Sequence, residues 1–181
     1  MGQYYKGVIL KKNKKSIENW VNSWDFNSGL KLMEHSWIEN PFVKSFETLI
    51  HDNPKRVVWA GDYADECTSL KTNVYTRCAE KQQTKPEYEL SVLDSLYIIN
   101  HTKKQYVSKL EVPSVQGWRI HPLPLLTCEG NGRGGGDYFG EDQKEIIGSW
   151  ARDVISVEKE NPNVTKGTMD YKELEFDLQE D

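Results

Sequence analysis

Between Glu129 and Asp137 the chain reads Glu129-Gly130-Asn131-Gly132-Arg133-Gly134-Gly135-Gly136-Asp137, which holds five of its thirteen glycines. Glycine loses more backbone freedom on folding than any other residue, so such a cluster implies backbone that takes positive φ or lies against something. Backbone N–H groups freed of side chains can form an anion-binding concavity, and an arginine beside them can fork two hydrogen bonds onto a phosphate. Arg133, Gly134, Gly135 and Asp137 are therefore candidate ligand-binding residues. A salt bridge from Arg133 to Asp137, or a solvated loop tip, is the plainer reading of the same pair. Two further stretches share this grammar of small residues beside charged ones next to an apolar run. Gly61-Asp62-Tyr63-Ala64-Asp65 contributes Asp62 and Tyr63, and Gly148-Ser149-Trp150-Ala151-Arg152-Asp153 contributes Trp150 and Arg152. Arg119 is a second candidate cation. Trp59, Trp150, Tyr63 and Tyr138 offer rings for stacking on a base, although aromatics more often belong to a core.

Known fingerprints do not fit these residues. Gly130-x-Gly132 continues as Arg133-Gly134-Gly135-Gly136 with no convincing helix behind it, so the dinucleotide motif fails, and the Gly-Lys-Ser/Thr of a P-loop is missing. Ser149 lies outside a G-x-S-x-G elbow, and Cys128 has only His121 near it in sequence. Asp62, Asp65, Asp137 and Asp153 suit Mg²⁺ or Ca²⁺ if their loops converge, while loop aspartates more often form caps and turns. The histidines and cysteines show no ligand-like spacing, so the sequence indicates no resident metal and no cofactor.

The 181 residues suffice for one domain with a real core. No apolar run approaches the length of a membrane span and no signal-type segment opens the chain, so a cytoplasmic protein with no membrane association is expected. Cys67, Cys78 and Cys128 read as free thiols. The net charge of -5 is concentrated at the end: residues 158–181 hold eight acids and three lysines, whereas the remainder balances twenty acids with twenty bases. General nucleic-acid binding through a broad basic field is thus disfavoured. The expected organisation is one globular domain over residues 1–157, followed by an acidic tail over 158–181. Such a tail is solvated, or it serves as a nucleic-acid mimic toward a partner protein.

The elements that must position the candidate residues follow from pattern. Strands are expected at Tyr4–Leu10, Arg56–Ala60 and Val154–Val157, and a hairpin at Tyr97–Val107 around Asn100-His101-Thr102-Lys103-Lys104. The clearest helix runs over 41–52, with Asn40 as N-cap, Pro41 at the first position, and an apolar stripe of Phe42, Val43, Phe46, Leu49 and Ile50. Glu47 and His51 then fall on its wet side. Spacing leans toward a helix for Ser16–Trp24, a short strand for Leu30–Glu34, a strand for 88–94, and an extended arm for Ile120–Leu126. Thr68–Pro86 reads as a surface excursion. The fold class is α+β: a mainly antiparallel β-sheet with the 41–52 helix packed on one face.

Met1-Gly2-Gln3-Tyr4-Tyr5-Lys6, Gly29-Leu30-Lys31-Leu32-Met33-Glu34, Trp59-Ala60-Gly61-Asp62-Tyr63-Ala64-Asp65, the glycine loop and Gly148-Ser149-Trp150-Ala151-Arg152-Asp153 together resemble a family of proteins encoded by phages, prophages and bacteria. The resemblance covers about residues 1–157 and carries no established activity. It implies a phage setting, in which small cytosolic proteins often act on host metabolism or defence. The expected function is binding of a phosphate-bearing, nucleotide-like small molecule, as a sponge for a host immune signal. A metal-dependent hydrolase of such a ligand and an acidic protein–protein inhibitor are the alternatives, and a homo-oligomer is possible.

Overall fold

The computed structural model describes residues 2–87, 89–132, 134–140 and 142–178. Five main strands, β1 (Tyr5–Leu10), β2 (Ile17–Val21), β3 (Lys55–Gly61), β4 (Tyr97–Asn100) and β5 (Gln105–Ser108), precede a two-stranded hairpin, β6 (Ser114–Val115) and β7 (Trp118–Arg119). Three more follow, β8 (Cys128–Glu129), β9 (Val154–Glu158) and β10 (Lys172–Glu173). The large sheet runs β10-β5-β4-β9-β3-β1-β2, with β8 added beside β3. All its pairings are antiparallel except β3 with β8 and β10 with β5. The fold is therefore α+β on a mainly antiparallel mixed sheet.

Period-two alternation puts apolar residues on both faces of the central strands. Tyr5 and Ile9 of β1 and Val57 and Trp59 of β3 face one core, while Val8, Leu10, Val58 and Ala60 face a second. The first core is closed by α2 (Pro41–Ile50). Asn40 accepts hydrogen bonds from the N–H groups of Phe42 and Val43, Pro41 occupies the first turn, and Phe42, Val43, Phe46 and Ile50 are buried. A short helical turn before it, α1 (Leu32–His35), buries Leu32 and His35. The second core is closed by α3 (Val74–Arg77), through Val74 and Cys78.

Several local expectations change once tertiary contacts exist. Ile17–Val21 is a strand because β1 offers a pairing edge (Gly7↔Val21, Val8↔Trp20), which outweighs its helical spacing. Leu30 and Lys31 form a bend into α1, which takes up Leu32–Glu34, and residues 90–94 form a 3-10 helix. Residues 122–127 are helical: Pro122 starts α4 (Pro122–Thr127) and His121 caps it by accepting from the Leu123 N–H. A proline at the first helical position lacks only an N–H that has no partner there. The Thr68–Pro86 stretch is more than a surface excursion, since it supplies the lid of the second core and accepts the Trp20 indole N–H at the Lys81 carbonyl.

The acid-rich segment packs onto the sheet through residue 178. α5 (Pro162–Lys166) leads to β10, and Phe176 and Leu178 join the main core although acids flank them. Alternation explains this, because Leu174, Phe176 and Leu178 share one side of an extended segment and Glu173, Glu175 and Asp177 the other.

Candidate functional site: a cleft where three loops meet

The long edge of β3 supports all three candidate stretches. β8 pairs with its end in parallel (Trp59↔Cys128, Ala60↔Glu129), so the chain leaves both strands in the same direction. The 61–66 loop and the glycine loop consequently emerge side by side. Upstream on the same edge, the Arg152 N–H donates to the Val57 carbonyl and the Val57 N–H to Asp153. The turn before it is held by Gly148 N–H to Leu125 O and Trp150 N–H to Leu126 O. Stretches up to 92 residues apart in sequence, such as Gly61 and Asp153, thus share one support.

Their meeting point is a cleft of about 400 Å³, lined by Ala64, Asp65, Glu66, Cys67, Glu129, Gly130 and Arg152 among others. Arg152 takes a left-handed backbone (φ 67°) that turns its side chain across the cleft. Its guanidinium holds Glu129 with two hydrogen bonds, Nε–Oε1 at 2.5 Å and Nη2–Oε2 at 3.0 Å, and donates from Nη1 to the Lys14 carbonyl at 3.0 Å. Hydrogen bonding to Glu129 raises its already high pKa further. A guanidinium has five N–H donors, so two are left over after these contacts.

Asp62 instead clasps the start of β1, its carboxylate accepting from the Tyr4 N–H at 2.9 Å and its own N–H donating to the Tyr4 carbonyl. Asp137 is fully buried and accepts from the Tyr5 hydroxyl at 3.2 Å and from the Gly134 N–H at 2.9 Å. The concavity expected to cradle an anion thus receives the loop's own carboxylate. The glycines have a structural cause as well. Gly130, Gly132 and Gly136 take positive φ, and a Cβ on Gly134 would lie 2.7 Å from the Gln3 backbone nitrogen. Gly135 forms a bridge to Gly2. The backbone that Gly134 and Gly135 admit is the chain's own Gly2-Gln3 segment.

Stacking surfaces are fewer than the sequence offered. Trp150 is 0% exposed and donates its indole N–H to Gln105, and Trp59 and Tyr138 are also core residues. Tyr63 remains half-buried, its ring against Gly134. Asp153 lies away from the cleft, bonded to Asn100 and near Lys103, and Arg119 points into the carbonyls of Lys109 and Val112. Asp62, Asp137 and Asp153 are therefore committed to separate partners, and among the described residues no group of three His, Cys, Asp or Glu is placed to hold a metal. Arg133 lies outside the described residues.

The sequence did not single out Cys67 as a member of this cleft. Its thiol is drawn below the usual range by hydrogen bonding from Ser69, with the charges of Lys15 and Arg152 adding to the effect. Cys67-x-Ser69 in a turn is a local pattern that would have pointed to it.

A second polar cluster was also not anticipated. Glu47, expected on the wet side of α2, is 2% exposed. Its Oε1 accepts from Lys109 Nζ at 2.8 Å and from His121 Nε2 at 3.0 Å, and Lys109 Nζ also meets Ser95 Oγ at 3.0 Å. Because His121 Nδ1 accepts from the Leu123 N–H, Nε2 carries the proton and the ring is neutral. Burial lowers the His121 pKa in the same sense. Burial alone would raise the Glu47 pKa, but its partners hold the carboxyl below the usual carboxylate range, and Lys109 supplies the balancing charge.

Comparison with protein-family models, with curated proteins and with solved structures finds no match to this chain.

Proposed function

We propose that the protein binds a small, phosphate-bearing, nucleotide-like molecule in the cleft between the 61–66 loop, Glu129-Gly130 and Arg152. The observation that supports this is the convergence of the three stretches on one cleft of about 400 Å³, within the size range of small-molecule sites. Its lining is of mixed charge. Arg152 keeps two donors for phosphate oxygens, whereas Asp65, Glu66 and Glu129 are acceptors suited to ribose hydroxyls or an exocyclic amine. A lone inorganic anion suits such a lining less well than a molecule carrying both kinds of group. In the phage setting that the resemblance implies, binding without turnover would sequester a host nucleotide signal.

Calorimetry against cyclic nucleotides and ADP-ribose derivatives tests the reading. A saturable heat is expected with at least one class, weakened about tenfold or more by Arg152→Ala. Recovery of the ligand intact after denaturing the complex is expected of a binder. Absence of binding across the panel, or binding indifferent to Arg152→Ala, would exclude this site.

A further inference from the structure

A second, separate surface carries a different chemistry. The β6–β7 hairpin turns at Gln116 and Gly117, both left-handed (φ 49° and 83°), which is the geometry of a tight two-residue hairpin turn. It presents Trp118 at 63% exposure, the ring packed at 57° and 6.2 Å against Trp37. Trp37 is fixed from below: its indole N–H donates to the Met33 carbonyl at 2.8 Å, and its backbone forms a bridge to Ile120. Trp37 thus backs Trp118, and Trp118 borders a groove of about 760 Å³ with Trp37, Glu34, Glu39, Pro41 and Arg119.

Glu39 is the other notable member. It is exposed and takes φ 75°, a conformation that costs a non-glycine residue on the order of 1 kcal/mol or more. The strain places its side chain on the rim of this groove and of a neighbouring cavity of about 630 Å³ that extends past Pro41 to Phe26 and Lys44. Among the described residues no hydrogen bond or ion pair engages the Glu39 carboxylate. Glu34, by contrast, is tied to Lys31, accepting its backbone N–H and lying 3.7 Å from its ammonium. Arg119 spends donors on backbone carbonyls. The groove lining thus holds two carboxylates against one guanidinium, with the free carboxylate beside the open indole.

We propose that this groove docks an arginine side chain displayed on an extended segment of a partner protein. A planar guanidinium stacks on an open indole and forks onto a carboxylate, and the two contacts reinforce each other. A quaternary ammonium is a poorer fit, because two tilted rings in mutual contact do not enclose a sphere. The continuation of the groove past Pro41 leaves room for residues flanking the arginine, which a free small cation would not use. The surface shares no lining residue with the cleft at Arg152.

The test uses ¹⁵N-labelled full-length protein titrated with a short, otherwise uncharged peptide bearing one central arginine. The same peptide with citrulline, which keeps the shape and loses the charge, is the control, and Nα-acetyl-arginine methylamide is the small-molecule arm. Saturable shifts are expected in the indole N–H resonances of Trp37 and Trp118 with the arginine peptide, and none with citrulline. Glu39→Gln and Trp118→Ala should each weaken binding by about tenfold or more, with circular dichroism reporting an unchanged fold. The proposal is overturned if no resonance shifts, if citrulline binds equally well, if Glu39→Gln binds as the parent does, or if the free arginine derivative binds as tightly as the peptide.

Discussion

Arg152 and Glu129 face each other across the cleft as a two-point ion pair, with N–O distances of 2.5 and 3.0 Å, and both side chains are about three-quarters shielded. The pair joins two stretches that lie along the same edge of β3, and it holds the charge of Arg152 in check. Replacing Glu129 by Gln keeps the shape and releases the guanidinium. Glu129→Gln is therefore expected to tighten binding of a phosphate-bearing ligand in the cleft, opposite in sign to Arg152→Ala. Parallel calorimetry on the two variants checks this, and weakening by both would assign the pair a purely structural role.

The glycine loop gives a graded prediction. At Gly134 an added Cβ meets the Gln3 backbone nitrogen at 2.7 Å, where nothing can move cheaply. At Gly132 it meets nothing within 4 Å, and only the positive φ of 84° opposes a side chain. Gly134→Ala should cost about 1–3 kcal/mol of stability by overpacking, and Gly132→Ala about 1 kcal/mol from the backbone alone. Urea denaturation of both variants measures the order, and a reversal would mean that the contact with Gln3 does not constrain the loop.

Lys109→Met leaves the Glu47 carboxylate buried without its balancing charge. Removing one partner of a buried pair typically costs about 3–5 kcal/mol, and the same range is expected here. The depressed Glu47 pKa fixes the sign of the acid response. Stability from this group is fully present above the ordinary carboxyl range and is lost as pH falls through its lowered folded value. The parent should thus show an extra loss below about pH 4 that Glu47→Gln lacks.

His35 acts at a higher pH. It is fully buried, donates from Nδ1 to the Gly29 carbonyl and accepts the Trp59 indole N–H at Nε2, 2.8 Å away. That arrangement admits only the neutral ring, and burial lowers its pKa from 6.5 to about 4. The unfolded chain binds the proton first, so stability falls as pH drops through this window, by an upper estimate of about 3 kcal/mol. Chemical denaturation at steps between pH 7 and 4 should show the decline, and its persistence in His35→Asn would place its origin elsewhere.

Phe176 tests the acid-rich segment. As a core member at 6% exposure, its truncation to Ala should cost about 3–5 kcal/mol. A fully solvated tail would give almost no change in melting temperature on the same substitution.

The sequence by itself determined the features that depend on near neighbours. The Asn40-Pro41 start of α2, its apolar stripe, the strands β1, β3 and β9, and the β4–β5 hairpin follow from capping, alternation and turn chemistry within a few residues. It also marked the three small-and-charged stretches, since glycine clustering is visible without any partner. Only the tertiary structure decided what those residues do. Gly134 and Asp137 satisfy each other and admit the chain's own Gln3, Trp150 fills the core, and Glu47 turns inward because Lys109 and His121 arrive to compensate it. Burial and pairing are set by residues far away in sequence, and no local pattern encodes whether the one acid of α2 will find a buried lysine. The convergence of the 61–66 loop, Glu129 and Arg152 has the same origin: it follows from β8 lying parallel to β3, a register that exists only once the sheet has formed.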